Sequence, residues 1–380
     1  MNPLEKLEQL GQSIWLDYLS RDFIEDGSLK KSLETDSVRG VTSNPSIFEK
    51  AIGHSAEYDK QIGEILKSGE TDARKIFRKL AVRDIQNACD VLRPVYDATA
   101  GHDGFVSMEV SPDLALETEK TIQEARELWS AIAKPNLMIK VPGTKEGLPA
   151  IRKLIGEGIN VNITLLFARP VYEQVANAYI EGLEALPRER DLGTVASVAS
   201  FFVSRIDTKI DEWIEDKLKS GSEDQAKLKS LLGKVAIASA KLAYEQYKKI
   251  FSGERWAALA KRGARPQRLL WASTGTKNKA YSDVLYIETL IGPNTVNTVP
   301  VETLDAYRDH GKPEQTLEKD VDQARQVLDD LKQVGLSIDR ATDELVDEGV
   351  GKFDDAANKL YAAIRDKAAK LSGADSKAAQ

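Results

Sequence analysis

A lysine set inside an apolar run is the first feature of this sequence with chemical content. In LMIKVP, Leu137, Ile139 and Val141 alternate with Met138 and Lys140, and alternation in a strand sends the two sets to opposite faces. Taking an ammonium out of water favours the neutral amine, the form that attacks a carbonyl to make a Schiff base. Structural ion pairs place lysines in similar settings, so Lys140 alone leaves both readings open. Three further segments break their apolar pattern in the same way. In INVNITL, Ile159, Val161, Ile163 and Leu165 oppose Asn160, Asn162 and Thr164. In GFVSMEV, Ser107 and Glu109 oppose three apolar residues, and in IWLDYL, Trp15 and Asp17 oppose Ile14, Leu16 and Tyr18. Charge neutralisation needs only pairing. Two acids, an amine and neutral hydrogen bonders at the ends of different strands suit proton transfer around a reacting amine.

Other chemistries lack their residues. His54, His102 and His310 are scattered without ligand spacing and read as solvated surface residues, so no metal site is expected. Cys89 stands alone, which excludes a disulfide framework and a thiolate metal site and fits a reducing cytoplasm. Neither a Walker A loop nor a G-x-S-x-G elbow is present, and no cofactor is expected.

The elements that must position these groups alternate. Strand-like runs lie at 13–19, 38–43, 104–110, 137–141, 159–165, 195–203, 268–273 and 295–299. Helical patterns fall at 71–93, 113–133, 147–156, 169–186, 205–219, 225–250 and 282–291. Eight strands alternating with helices predict an α/β fold, a (β/α)8 TIM-type barrel whose active site lies at the C-terminal ends of the strands. An open doubly wound sheet is the rival, but SRDFIEDG after the first strand carries no G-x-G-x-x-G. Beyond the eighth strand, Leu317, Val321, Ala324, Leu328 and Leu331, then Phe353, Ala357, Leu360 and Ile364, repeat at helical spacing. The expected organisation is a catalytic barrel with an N-terminal helix over 1–310, a helical extension packed on it over 311–372, and a frayed tail over 373–380.

The chain has 380 residues and a net charge of -7. Residues 302–380 hold 18 acids and 12 bases, leaving 42 and 41 in the first 301, so the surplus sits in the C-terminal extension. A neutral body offers no basic footprint for nucleic acid or an anionic membrane, yet permits a local anion site. No run approaches a membrane span, and the acidic, helical start MNPLEKLEQLGQ does not read as a secretory signal. A cytoplasmic protein is expected.

Three segments carry a specific resemblance. GVTSNPSIFEKAI (40–52), LMIKVPGTKEGLPAIRKL (137–154) and NVNITLLF (160–167) together resemble the transaldolase family, in order, from about residue 13 to 310. The length and helical tail resemble its longer bacterial branch. The resemblance implies a class I aldolase-like barrel of the pentose phosphate pathway. It would move a dihydroxyacetone unit from sedoheptulose 7-phosphate or fructose 6-phosphate to glyceraldehyde 3-phosphate or erythrose 4-phosphate. By the same resemblance, Lys140 is the Schiff-base lysine, Asp17 the acid/base at the C4 hydroxyl, and Glu109 with Thr164 the pair that holds a water and relays protons. Thr42 belongs to the matched T-S-N-P block; Asn44, Asn162 and Ser200 match residues that bind the three-carbon unit. Arg205, with Ser273 and Lys277, matches the phosphate site. Sugar phosphates are the implied partners, and the protein is expected as a monomer or homodimer.

Departures accompany the match. Lys277 stands where arginine is common, which keeps the charge and loses a bidentate fork. Phe201 replaces a common proline, and the longer chain between Arg205 and Arg268 reads as an added outer helix without effect on chemistry. A fructose 6-phosphate aldolase, releasing free dihydroxyacetone, is the nearest rival. Such relatives carry glutamine in the position of Glu109 and tyrosine in that of Phe202, and this chain has neither. A non-catalytic sugar-phosphate-binding barrel is the second rival; it would be expected to lack Lys140, Asp17 or Glu109.

Overall fold

Parallel strands buried on both faces need helices outside and one another's side chains inside, and closing the sheet meets both needs. The computed structural model describes residues 2–378, with side chains for 2–372, and shows this closure. β1 (Gln12–Leu16), β2 (Val38–Thr42), β3 (Phe105–Glu109), β4 (Leu137–Pro142), β5 (Val161–Leu166), β6 (Ser197–Phe202), β7 (Arg268–Ala272) and β8 (Thr295–Val299) form one closed barrel in sequence order. β8 pairs back onto β1 in parallel, Trp15 beside Thr298. The fold is a (β/α)8 barrel with further helices at the C-terminus.

The interior is packed. Trp15 is fully buried inside, and it fits because β2 carries Gly40, where a Cβ would lie 2.5 Å from the indole ring. The outward sets, Leu137, Ile139 and Val141 on β4 with Val161 and Ile163 on β5, sit fully buried between barrel and helices. Alternation therefore sorted these faces as the sequence pattern implied.

Several boundaries differ from the sequence reading. β1 ends at Leu16, so Asp17 lies just past the strand, and Asn160 precedes β5. The expected helix 225–250 is two helices, Gln225–Leu231 and Val235–Ile250, broken where Gly233 adopts φ 66°. The expected 113–133 is a short turn, Pro112–Leu114, followed by Thr118–Ile132, and 282–291 holds only the helix Leu285–Glu288. Short helices at Arg21–Glu25, Ser28–Thr35 and Pro45–His54 went unread, each too brief to show a periodicity. The last helix runs Ile338–Ala378; the tail expected to fray lies beyond the residues whose side chains are described.

That last helix crosses the C-terminal mouth. Lys209 ties it to the helix Ser204–Lys219 through Glu344 at 2.7 Å and Glu348 at 2.6 Å, while Lys367 pairs with Asp59 at 2.7 Å. A Cβ at Gly349 would stand 2.7 Å from Leu165, so glycine lets the helix backbone come down onto the end of β5. Among the described residues no helix is long and apolar enough to cross a membrane.

Candidate active site

Parallel register sets the centre of the site. Glu109 on β3 pairs with Lys140 on β4, and Lys140 pairs with Asn162 on β5, so the three inward side chains stand in one row. One step nearer the mouth, Pro142 pairs with Thr164. Lys140 is 6% exposed and Glu109 8%. Lys140 Nζ donates to the Ser43 carbonyl at 3.0 Å and lies 3.5 Å from Glu109 Oε2. The ion pair is long, and Glu109 Oε2 has no hydrogen-bond partner; neither does the buried Thr164 Oγ1. Burial pushes the Glu109 carboxyl above the usual carboxylate range, opposed by Lys140 and reinforced by Asp17.

Asp17 faces this row from just past the end of β1. Thr42 Oγ1 donates to Asp17 Oδ1 at 2.6 Å and also meets Thr298 Oγ1 at 2.7 Å. Burial raises the Asp17 carboxyl above its ordinary value, while Lys140, the Thr42 hydrogen bond, Arg205 and Lys277 pull it back. The T-S-N-P block explains its own geometry. Thr42 ends β2, the Ser43 carbonyl takes the lysine, and Asn44 caps the helix Pro45–His54 by accepting from the Ile47 N–H at 3.0 Å. Pro45 at the first helical position needs no donor.

A second chain of hydrogen bonds orders the neutral groups. Ser200 Oγ donates to Asn162 Oδ1 at 2.6 Å, and Asn162 Nδ2 donates to Ser107 Oγ at 3.0 Å. Toward the rim, the Arg205 guanidinium lies 5.2 Å from the Phe202 ring centroid and 6.0 Å from that of Phe353. Ser273 follows β7 at φ 55°, an unusual conformation for a residue with a side chain, and its hydroxyl meets Ser204 Oγ at 2.9 Å.

All the residues singled out in the sequence except Glu109 and Asn162 line one cavity of about 200 Å³. Those two stand directly behind its wall, joined to Lys140 and Ser200 respectively. Sequence reasoning missed Thr298, which the alternation of TVNTV could have revealed, and Phe353, whose helical stripe read only as packing. The Ser43 carbonyl carries no signal in the sequence. The three histidines are exposed.

Such an arrangement, a buried lysine between carboxylates at the C-terminal mouth and a cation at the rim, defines a (β/α)8-barrel enzyme. The family model described as transaldolase/fructose-6-phosphate aldolase matches residues 14–364. The chain is 49% identical to a transaldolase of Trichodesmium erythraeum, covering 97% of this chain and 98% of that one. It is 51% identical to a protein named transaldolase 2 of Nostoc punctiforme (98% and 99%), and 46% identical to a transaldolase of Thiobacillus denitrificans (96% and 100%). The protein belongs to the transaldolase/fructose-6-phosphate aldolase family.

Proposed function

We propose that the protein is a transaldolase, moving a dihydroxyacetone unit between sugar phosphates through an imine on Lys140. The observation that carries this reading is the unsaturated row: Lys140 Nζ 3.5 Å from Glu109 Oε2 in a long ion pair, with that oxygen and Thr164 Oγ1 buried and without a hydrogen-bond partner. Other buried polar atoms among the described residues also lack a partner, but these two belong to the strand row that carries the Lys140 amine, which supports a reacting molecule there.

The amine of Lys140 adds to the C2 carbonyl of the ketose phosphate. Loss of the C2 oxygen as water, with protons relayed by Glu109 and Thr164, leaves a protonated imine. Asp17 then takes the C4 hydroxyl proton. The C3–C4 electron pair moves into the imine, giving a neutral enamine and a free aldose phosphate. The enamine carbon attacks the carbonyl carbon of the acceptor aldehyde, Asp17 returns its proton to the new alkoxide, and water hydrolyses the imine. Asn44, Asn162 and Ser200 hold the three-carbon unit. Arg205, Ser273 and Lys277 grip the phosphate, whose remote binding energy orients the reacting carbons. Pentose phosphate metabolism, a cytoplasmic setting, a monomer or homodimer and independence of any cofactor belong to the same reading.

Borohydride reduction in the presence of fructose 6-phosphate should fix a three-carbon adduct on the peptide containing Lys140. An adduct on another lysine, or none, overturns the mechanism. Release of free dihydroxyacetone without an aldose acceptor should be slow; rapid release would assign the chain to the aldolase side of its family.

A further inference from the structure

The two cations of the phosphate end stand on different elements. Arg205 is in the first turn of the helix Ser204–Lys219, and Lys277 lies on the segment between β7 and the helix Leu285–Glu288. A polar seam on the outer side of the barrel joins those elements. Asp207 and Asp211, one helical turn apart, are 1% and 5% exposed. Asp207 Oδ2 accepts from the Tyr286 hydroxyl at 2.9 Å and Oδ1 from the Ala236 N–H at 2.7 Å. Asp211 repeats the pattern, Oδ2 accepting from the Tyr281 hydroxyl at 2.8 Å and Oδ1 from the Gly233 N–H at 3.1 Å.

Asp211 thus binds a tyrosine of the Lys277 segment and the amide of Gly233 just before the helix Val235–Ile250, while Asp207 binds a tyrosine of the following helix and an amide in the first turn of Val235–Ile250. Gly233 is needed there, because a Cβ would stand 2.8 Å from the Tyr281 ring. The seam lines one side of an open pocket of about 200 Å³ that Lys277 also borders, so Lys277 stands between this pocket and the cavity that holds Lys140.

Burying two like charges a turn apart is costly unless each is hydrogen-bonded. Burial, reinforced by Asp211, pushes the Asp207 carboxyl up to about 7 against its hydrogen bonds. The imine chemistry uses neither acid. We propose that Asp207 and Asp211, acting through Tyr286 and Tyr281, are positioning residues that hold Arg205 and Lys277 at the spacing one phosphate group requires. The helix Val235–Ile250 then supports substrate binding as well as the outer layer. The inference rests on the assignment of Arg205 and Lys277 to phosphate in the preceding reading.

Tyr286→Phe and Tyr281→Phe each remove one hydroxyl and keep the ring; Asp207→Asn keeps an acceptor and removes the charge. Two probes separate the outcomes: inorganic phosphate as a competitive inhibitor, and dihydroxyacetone, which has no phosphate, trapped by borohydride at Lys140. The double tyrosine variant should raise the phosphate inhibition constant and the KM for fructose 6-phosphate together, by about tenfold, since only part of the lost hydrogen-bond energy reaches the bound phosphate. Its kcat and its trapping of dihydroxyacetone should stay near the parent values. Asp207→Asn should shift the same two constants in the same direction. An unchanged phosphate constant, or a fall in trapping equal to the loss of phosphate binding, overturns the proposal. If the parent protein itself fails to trap dihydroxyacetone at Lys140, the imine reading fails instead, and the phosphate constant still decides the positioning role.

Discussion

The barrel carries similar groups at its two ends and treats them differently. At the N-terminal floor, Arg268 pairs with Asp103 at 2.9 Å, and both are nearly inaccessible. Ser13 Oγ and Trp15 Nε1 donate to the same Asp103 at 2.6 and 3.0 Å, while Arg268 also donates to Ser13 Oγ at 2.9 Å and to the His102 carbonyl at 2.7 Å. At the mouth, the cation and acid stand 3.5 Å apart with polar atoms left over. A buried ion pair is tolerated when its remaining hydrogen-bonding capacity is met. The Arg268–Asp103 pair meets that condition with groups from the chain, and the Lys140–Glu109 pair leaves part of its capacity unmet. Saturation separates these two ends of the barrel, although it does not by itself mark a chemical site, since the buried Arg21–Asp84 pair also leaves Asp84 Oδ2 without a partner.

The largest effect should come from Lys140→Met, which removes the amine that forms the bond. Turnover should fall about 10⁴-fold or more, while the melting temperature should fall less than for a broken floor pair, because burial already favours the protonated form of Glu109 and loss of Lys140 lets it take up a proton. A steep loss of stability would erase the contrast between the ends. Next, Asp103→Ala leaves Arg268 buried and unpaired and should cost about 3–5 kcal/mol in denaturant unfolding. The folded fraction should keep its KM; a selective loss of kcat would make the floor part of the chemistry. The smallest effect should come from Thr164→Val, which replaces an unpartnered hydroxyl with a group of similar shape. Unfolding free energy should change by less than about 1 kcal/mol, and borohydride-trappable imine should form about tenfold more slowly. If this variant destabilises as much as Asp103→Ala, the Thr164 hydroxyl is structural.

The contrast also explains what the sequence disclosed. Strand alternation exposed Asp17, Glu109, Lys140, Asn162 and Thr164 because each interrupts an apolar run on the face that turns inward. The same alternation did not tell floor from mouth. Asn160 shares parity with Asn162 but spends its amide on the Pro135 and Leu137 carbonyls, both at 3.0 Å. Asp103 and Arg268 gave no sign of their partnership, which spans 165 positions and depends on closure. Helix 225–250 read as one because both halves are amphipathic, and the break at Gly233 is dictated by the Tyr281 ring, a neighbour distant in sequence. Arg205, Ser273 and Lys277 were reached through family resemblance; no local pattern brings them together.

Phe353 belongs to the last helix yet faces Arg205 at the rim of the cavity. A ribosome makes this chain from the other terminus, and all eight strands emerge before that residue exists. The barrel can therefore close around a cavity still missing one wall. Order of synthesis becomes order of assembly: the nascent protein gains its scaffold first, and the rim of the cavity is finished by a segment made after all eight strands.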